Sequence, residues 1–147
     1  MAHYKLTNRN SDKNSIQLKI DTARISTPEG YRLHISPKGI RIRGRTETGL
    51  FYGLQTLRQI LNDERFYHPA TRSWQIPALK IQDSPAFPYR GMHLDVSRHF
   101  FPKEYILKWI DLMALYKINT LHWHLTDAGG WRVEIKKYPE LTHTAAW

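Results

Sequence analysis

The sequence predicts an α/β protein in which a small α+β layer precedes a strand–helix–strand unit. Two observations support this prediction. The first 82 residues combine short segments of alternating apolar and polar side chains with one helical segment, which is typical of a helix covering a sheet. After two closely spaced prolines, the pattern changes to an apolar strand, a helix and a second strand with short connections. Such a unit places its two strands parallel in one sheet.

Three strands are expected in the first half of the chain. The segments Ile16–Ile20 and Tyr31–Ser36 alternate apolar and polar side chains, which is the pattern of a half-buried strand. After a turn over residues 37–39, a third segment alternates in the same way through Ile40, Arg41, Ile42, Arg43 and Arg45. We expect the second and third segments to form an antiparallel hairpin with one apolar face and one basic, solvated face.

A helix and a fourth strand are predicted next. Thr46 can cap the helix, and its apolar stripe consists of Leu50, Leu54, Leu57 and Leu61. We expect the helix to end near Asn62 and a polar loop to occupy residues 63–75. The following strand, over 76–81, contains Pro77, which places it at a sheet edge because proline cannot donate a ladder hydrogen bond.

Residues 84–88 mark the boundary between two domains. Two of these five residues are proline, which resists both a helix and a central strand. We expect an α+β domain over 1–83, a linker over 84–88 and the strand–helix–strand unit over 89–147.

The second domain has a regular pattern. It predicts a strand over 92–96, a helix over 103–117 and a strand over 119–125. The apolar residues of the helix are Ile106, Trp109, Ile110, Leu112, Met113 and Tyr116. Trp123 alternates with two histidines, so we expect it to face away from them and to pack against a helix.

Polar residues follow both predicted strands of the second domain. Arg98 lies in the first loop, and Asp127 lies in the second loop before two glycines. Ligands of parallel α/β folds bind at the carboxyl ends of strands, so we expect the two side chains on neighbouring loops. Arg98 can donate a planar fork of hydrogen bonds to sugar hydroxyls or a carboxylate, or it can form a structural salt bridge with Asp95. Asp127 can contact substrate or orient a histidine, or it can be a turn residue.

His122, His124 and Trp131 each allow two interpretations. The two histidines share one face of a strand at a spacing that can chelate a metal. Hydrogen-bonded core histidines are the favoured interpretation, because no further histidine-rich cluster follows. Trp131 can stack on a sugar ring or belong to the core.

Composition excludes several classes of function. The chain has no cysteine, which excludes disulfides and thiolate catalysis. No apolar run approaches 18 residues, so no transmembrane helix is expected, and the first residues lack the apolar core of a secretory signal. The net charge is +9, with 15 basic against 7 acidic residues in 1–90 and 7 against 6 in 91–147. A solvated basic sheet face is favoured over nucleic-acid binding.

The second domain closely resembles the start of the catalytic barrel of glycoside hydrolase family 20, the β-N-acetylhexosaminidases. The stretch that carries this resemblance is YRGMHLDVSRHFFPKEYILKWIDLMALYKINTLHWHLTDAGGWRVEIKKYPELT. Its RG…LD-x-SRHF and HWHL-x-D blocks, separated by one helix, are highly specific together. The upstream stretch EGYRLHISPKGIRIRGRTETGLFYGLQTLRQIL is similar to the small non-catalytic α/β domain of that family. Together these resemblances cover about residues 16–147.

The resemblance implies a truncated (β/α)8 TIM barrel and a retaining exo-hydrolase. Such an enzyme removes terminal non-reducing N-acetylglucosamine or N-acetylgalactosamine from glycans, and the acetamido oxygen of the substrate attacks the anomeric carbon. No cofactor and no metal is implied, and members commonly act in the periplasm, outside the cell or in lysosomes. A full barrel needs about 250 residues, so we expect this chain to be a fragment.

The resemblance also assigns residues. Arg98 matches an arginine that binds sugar hydroxyls, Asp127 an aspartate that supports a histidine and the acid, and His124 lies in the pocket wall. Many members have a second acidic residue where this chain has Ala128. The family's catalytic Asp–Glu pair belongs to later strands, so we expect the fragment alone to be inactive. The alternatives are a metal-dependent barrel hydrolase that uses His122 and His124, and a non-catalytic carbohydrate-binding module.

Overall fold

The computed structural model describes residues 15–67 and 76–147 of the chain. The polypeptide divides into two compact units, Met1–Pro88 and Tyr89–Trp147. Across the described residues, no helix is long and apolar enough to cross a membrane.

The first unit is a four-stranded sheet with one long helix. Its elements are β1 (Ile16–Ile20), β2 (Tyr31–Ser36), β3 (Gly39–Gly44), α1 (Glu47–Tyr67) and β4 (Leu79–Asp83). The strand order is β1-β3-β2-β4. Strand β2 pairs antiparallel with both β3 and β4, whereas β1 pairs parallel with β3. The predicted hairpin of β2 and β3 is therefore confirmed. Strand β4 lies at an edge of the sheet as predicted, but it begins at Leu79, after Pro77, and ends at Asp83, so the predicted bounds 76–81 are wrong.

The core of the first unit lies between the hairpin and α1. Tyr31 and Leu33 of β2 are 1% exposed, and Ile42 of β3 is fully buried. They form one cluster with Tyr52 and Leu57 of the helix. Alternation along each strand directs these side chains to the helix side, so burial of one sheet face holds the unit together.

A buried hydroxyl connects three elements of this unit. The Tyr31 hydroxyl lies 2.6 Å from the Thr56 hydroxyl on α1 and donates to a carboxylate oxygen of Asp83 on β4 at 2.8 Å. These bonds satisfy the polar end of a tyrosine whose ring is in the core.

Helix α1 begins where the sequence predicts and ends later. The Gly49 N–H donates to the Thr46 hydroxyl at 3.4 Å, a long capping bond, and the same hydroxyl donates to the Pro28 carbonyl at 2.7 Å. The predicted end at Asn62 is wrong, because α1 continues to Tyr67. Residues 63–67 are mostly polar but include good helix formers such as glutamate and arginine, so their polarity alone does not indicate a loop. The remainder of the predicted loop, 68–75, lies outside the described residues.

Two expectations about exposure in the first unit are wrong. Leu18 and Ile20 are 40% and 42% exposed instead of half-buried, because β1 is an edge strand. The arginine face is not uniformly solvated either. Arg41 is exposed, but Arg43 forms an ion pair of 2.9 Å with Asp21. A third arginine, Arg45, donates to the backbone carbonyls of residues 22 and 25.

The second unit contains the predicted strand–helix–strand arrangement. Its elements are β5 (Gly91–Asp95), α2 (Lys103–Leu115), β6 (Thr120–His124) and the short α3 (Glu140–His143). Strands β5 and β6 pair parallel from Gly91↔Thr120 to Asp95↔His124, which confirms the predicted parallel pair. Helix α3 was not predicted from the sequence.

The apolar side of the second unit is only partly buried. Leu94, Ile106 and Met113 are 6–7% exposed, whereas Ile110 is 45% exposed. The expectation that Trp123 packs against a helix is wrong, because its side chain is 44% exposed. Two strands and one helix offer too little covering surface for all of these side chains.

Candidate functional site

The parallel strands bring two loops to the same edge of the sheet. Asp95 ends β5 and pairs with His124, which ends β6. The ladder continues one step further, because the Val96 N–H donates to the His124 carbonyl at 3.0 Å. The loops that carry Arg98 and Asp127 leave from these strand ends. The two side chains are therefore neighbours, as predicted.

Arg98 forms two short ion pairs at this edge. Its Nη1 lies 2.7 Å from Oδ2 of Asp95, and its Nη2 lies 2.7 Å from Oδ2 of Asp127. The two interpretations of this arginine therefore coexist: it makes the structural salt bridge and stands beside Asp127. Its side chain is 67% exposed, and its guanidinium has five N–H groups. Within the described part of the chain, the two ion pairs leave three of them available to a ligand.

Asp95 fixes the loop that presents the arginine. Its Oδ1 accepts the backbone N–H groups of Ser97 at 3.0 Å and Arg98 at 3.2 Å. Partial burial raises the pKa of Asp95, but these two N–H groups and the Arg98 charge outweigh burial and bring the pKa below its usual value. The carboxylate is thus ionised and holds Arg98 by both backbone and side chain.

Asp127 is the shared partner of Arg98 and His124. Its Oδ1 accepts the Ala128 N–H at 2.8 Å, and its Oδ2 also lies 3.2 Å from Nε2 of His124. The Ala128 N–H, His124 and the Arg98 charge together lower the pKa of Asp127. An aspartate held ionised in this way accepts hydrogen bonds and orients its neighbours. It is not suited to donate a proton near neutral pH.

The loop after β6 requires glycine at one position. Asp127 and Gly130 form an isolated antiparallel bridge, and Gly130 has a φ of +113°. A side chain at that position would be strained. The turn therefore keeps Asp127 at the sheet edge.

The histidines form a larger group than the sequence pattern indicates. His122 and His124 share a face of β6, and His93 of β5 joins them because it pairs with His122. Ligand nitrogens of all three lie within 4.8 Å of one another. The favoured interpretation of buried core histidines is wrong for His122, which is exposed in the described structure. His93 was missed because it is the only histidine of its strand, and only the strand register connects it to the others.

Trp131 lies in a different environment from Arg98 and Asp127. Its backbone N–H donates to the Ala145 carbonyl at 2.7 Å, and its indole N–H donates to the Val133 carbonyl. The side chain is half-buried. The structure thus connects Trp131 to residues further along the chain, and its contact with a sugar stays a prediction.

Sequence comparison identifies the family to which this fold and site belong. The profile described as "Glycosyl hydrolase family 20, catalytic domain" matches residues 87–147. The profile described as "Glycosyl hydrolase family 20, domain 2" matches residues 1–84. The chain therefore belongs to glycoside hydrolase family 20, which confirms the resemblance of its two motif blocks.

Curated relatives are similar over most of this chain. A "Beta-hexosaminidase" of Porphyromonas gingivalis is 46% identical over 134 residues, which are 90% of this chain and 17% of that protein. A "Beta-hexosaminidase" of Vibrio furnissii is 42% identical over 117 residues, which are 80% of this chain and 18% of that protein. The chain thus spans less than a fifth of the length of these two relatives.

Solved structures support the same fold. A beta-N-acetylhexosaminidase from Bacteroides fragilis superimposes with a TM-score of 0.79 at 35% identity, covering 94% of this chain and 26% of that one. The Streptomyces plicatus N-acetyl-beta-hexosaminidase in complex with Thio-NAglucal gives 0.75 at 39% identity, covering 88% and 26%. The predicted fold class, a small sheet-and-helix domain followed by the first strands of a (β/α)8 barrel, is confirmed by these matches.

Proposed function

We propose that this chain is part of a β-N-acetylhexosaminidase. The enzyme removes terminal non-reducing N-acetylglucosamine or N-acetylgalactosamine from glycans, with retention of configuration. The observation that carries the proposal is the Arg98 guanidinium, which two ionised carboxylates hold at the carboxyl edge of β5 and β6. The resemblance to glycoside hydrolase family 20 implies that the terminal sugar binds at this edge.

Arg98 has the role of holding the sugar. Its ion pairs with Asp95 and Asp127 fix the plane of the guanidinium, and the N–H groups that remain can donate to a ligand. Adjacent hydroxyls of a pyranose accept such a pair of donors. Preorganisation by two carboxylates means that the arginine does not have to be ordered when substrate binds.

Asp127 has the role of positioning Arg98 and His124. Its lowered pKa keeps it ionised, so it stabilises positive charge and does not supply the proton to the leaving group. In substrate-assisted hydrolysis, the acetamido oxygen of the sugar attacks the anomeric carbon. The resemblance assigns proton donation to an Asp–Glu pair on later barrel strands.

The two units have different roles in this proposal. Residues 1–83 form a non-catalytic domain, 84–88 form a linker, and 89–147 form the start of the catalytic barrel. Barrel active sites require loops from several strands, whereas the second unit contributes β5 and β6. We therefore expect the 147-residue polypeptide alone to show no turnover.

A chimera tests the function directly. In this chimera, the 134 matched residues of the Porphyromonas gingivalis relative are replaced by those of this chain. We expect the chimera to hydrolyse a chromogenic N-acetylglucosaminide, and to leave the corresponding glucoside, which lacks the acetamido group, intact. A folded chimera that cleaves both substrates equally would contradict the proposal.

The same chimera distinguishes the metal-dependent alternative. A hydrolase that uses His122 and His124 to hold a catalytic metal loses activity when a chelator removes the ion. The substrate-assisted mechanism predicts unchanged kcat/KM after chelation. Turnover that depends on added zinc would favour the metal-dependent hydrolase.

A further inference from the structure

We propose that His93, His122 and His124 form a binding site for a divalent transition metal ion such as Zn²⁺. The site adjoins the sugar-holding Arg98, and the two share Asp127, which contacts both Arg98 and His124. The inference does not rest on the proposed hydrolase activity, because metal binding is measured without substrate.

The strand register creates the cluster. His93 and His122 are directly paired on adjacent parallel strands, and His124 follows two residues later on the same face. The ring centroid of His93 lies 4.6 Å from that of His122 and 5.8 Å from that of His124. The cluster thus consists of two ligands from one strand and one from its hydrogen-bonded neighbour.

The distances suit a tetrahedral ion after small side-chain rotations. The three ligand nitrogens lie within 4.8 Å of one another. Zn–N bonds of about 2.0–2.1 Å in a tetrahedron require nitrogens roughly 3.3 Å apart. His93 and His122 are exposed, so their rings are free to rotate and close this difference. Three imidazoles leave a fourth position for water or a small anion.

Asp127 supports the third ligand. Its Oδ2 lies 3.2 Å from Nε2 of His124, so in this proposal the metal binds Nδ1 of that ring. Metal-binding histidines usually donate their other ring N–H to a carboxylate, which fixes the tautomer and raises the basicity of the ligand. Asp127 is in the place that such a carboxylate occupies.

The charge of the neighbouring groups favours a cation. Asp95 is on the same face, because it pairs with His124, and both Asp95 and Asp127 are ionised next to the single guanidinium of Arg98. These three groups have a combined charge of −1. Imidazole ligands together with this charge suit Zn²⁺, Co²⁺, Ni²⁺ and Cu²⁺ rather than oxygen-binding Mg²⁺ or Ca²⁺.

Zinc titration of the 147-residue chain against a chromophoric chelator tests the site. We expect saturable binding of one ion per chain, and a weakening of about tenfold or more for each of His93→Gln, His122→Gln and His124→Gln. His99→Gln is the matched control, because His99 is exposed in the same unit and outside the cluster. We expect it to leave the affinity unchanged.

A further substitution distinguishes a preorganised metal site from surface histidines that merely lie close together. Asp127→Asn keeps all three imidazoles but weakens the acceptor of His124, and we expect zinc affinity to fall about 10- to 100-fold. If a histidine variant loses its circular dichroism spectrum because it does not fold, Co²⁺ added to the unsubstituted chain identifies the metal-binding residues instead. We then expect paramagnetic shifts at the rings of His93, His122 and His124. Absence of 1:1 binding, an unchanged affinity in His93→Gln, or shifts at other histidines would overturn the proposal.

Discussion

Replacement of Arg98 by methionine removes every donor of the proposed sugar-holding group. The guanidinium has five N–H groups, of which the ion pairs to Asp95 and Asp127 use two. Two of the remaining three suffice for a pair of sugar hydroxyls. A hydrogen bond to a charged group contributes about 1.5–3 kcal/mol, so losing two costs about 3–6 kcal/mol. This corresponds to a fall in kcat/KM of about 10²- to 10⁴-fold.

The assay is steady-state hydrolysis of the chromogenic N-acetylglucosaminide by the chimera. Arg98→Lys keeps the charge but not the planar fork, so we expect an intermediate loss. Arg58→Met is the matched control, because Arg58 is exposed on α1 of the first unit, and it should retain full activity. If Arg98→Met stays within about threefold of the unsubstituted chimera, less than 1 kcal/mol, the reasoning about Arg98 is refuted.

Three further predictions concern the stability of the first unit, measured by urea unfolding of the chain. Tyr31→Phe removes a buried hydroxyl that bonds to α1 and β4, so we expect a loss of about 1–3 kcal/mol; an unchanged midpoint would refute the role of these bonds. Gly49→Ala places a Cβ 2.3 Å from the Gly30 carbonyl oxygen, and overpacking of this kind costs about 1–3 kcal/mol; full stability would show that the helix start can shift. Burial raises the pKa of Asp21, but Arg43 and neighbouring donors outweigh burial and lower the pKa below 3.8. The ionised carboxylate therefore stabilises the fold above pH 3.8, and this stabilisation is lost as the pH falls through the lowered pKa. Asp21→Asn should therefore destabilise the chain at pH 7, by an amount that decreases as the pH falls below 3.8, and an effect that stays constant over this range would contradict the ion pair.

Local patterns predicted the elements whose periodicity is strong. Strands β2 and β3 appear in the sequence as two alternating runs around a turn, and the structure pairs them as a hairpin. The partner of β1 was not predictable, because a parallel pairing with β3 depends on the path of residues 21–30. The end of α1 was also missed. Hydrophobic periodicity stops near Asn62, but hydrogen bonding of the helix does not.

The candidate site was predictable as far as strand direction determines it. Arg98 and Asp127 were expected together because parallel strands end at one edge. The dual role of Asp95, which bonds the loop backbone and the guanidinium, depends on loop geometry that no sequence pattern specifies. His93 joins its two partners only through strand register. Trp131 was predicted to stack on a sugar from its residue type alone.

The central claim is that Arg98, held by two carboxylates, binds the terminal sugar. The most direct test is a crystal structure of the chimera with N-acetylglucosamine bound. We predict that sugar hydroxyls lie about 2.7–3.2 Å from the Arg98 guanidinium nitrogens, with the Asp95 and Asp127 ion pairs intact. A sugar bound in the pocket without contact to Arg98 would contradict the account.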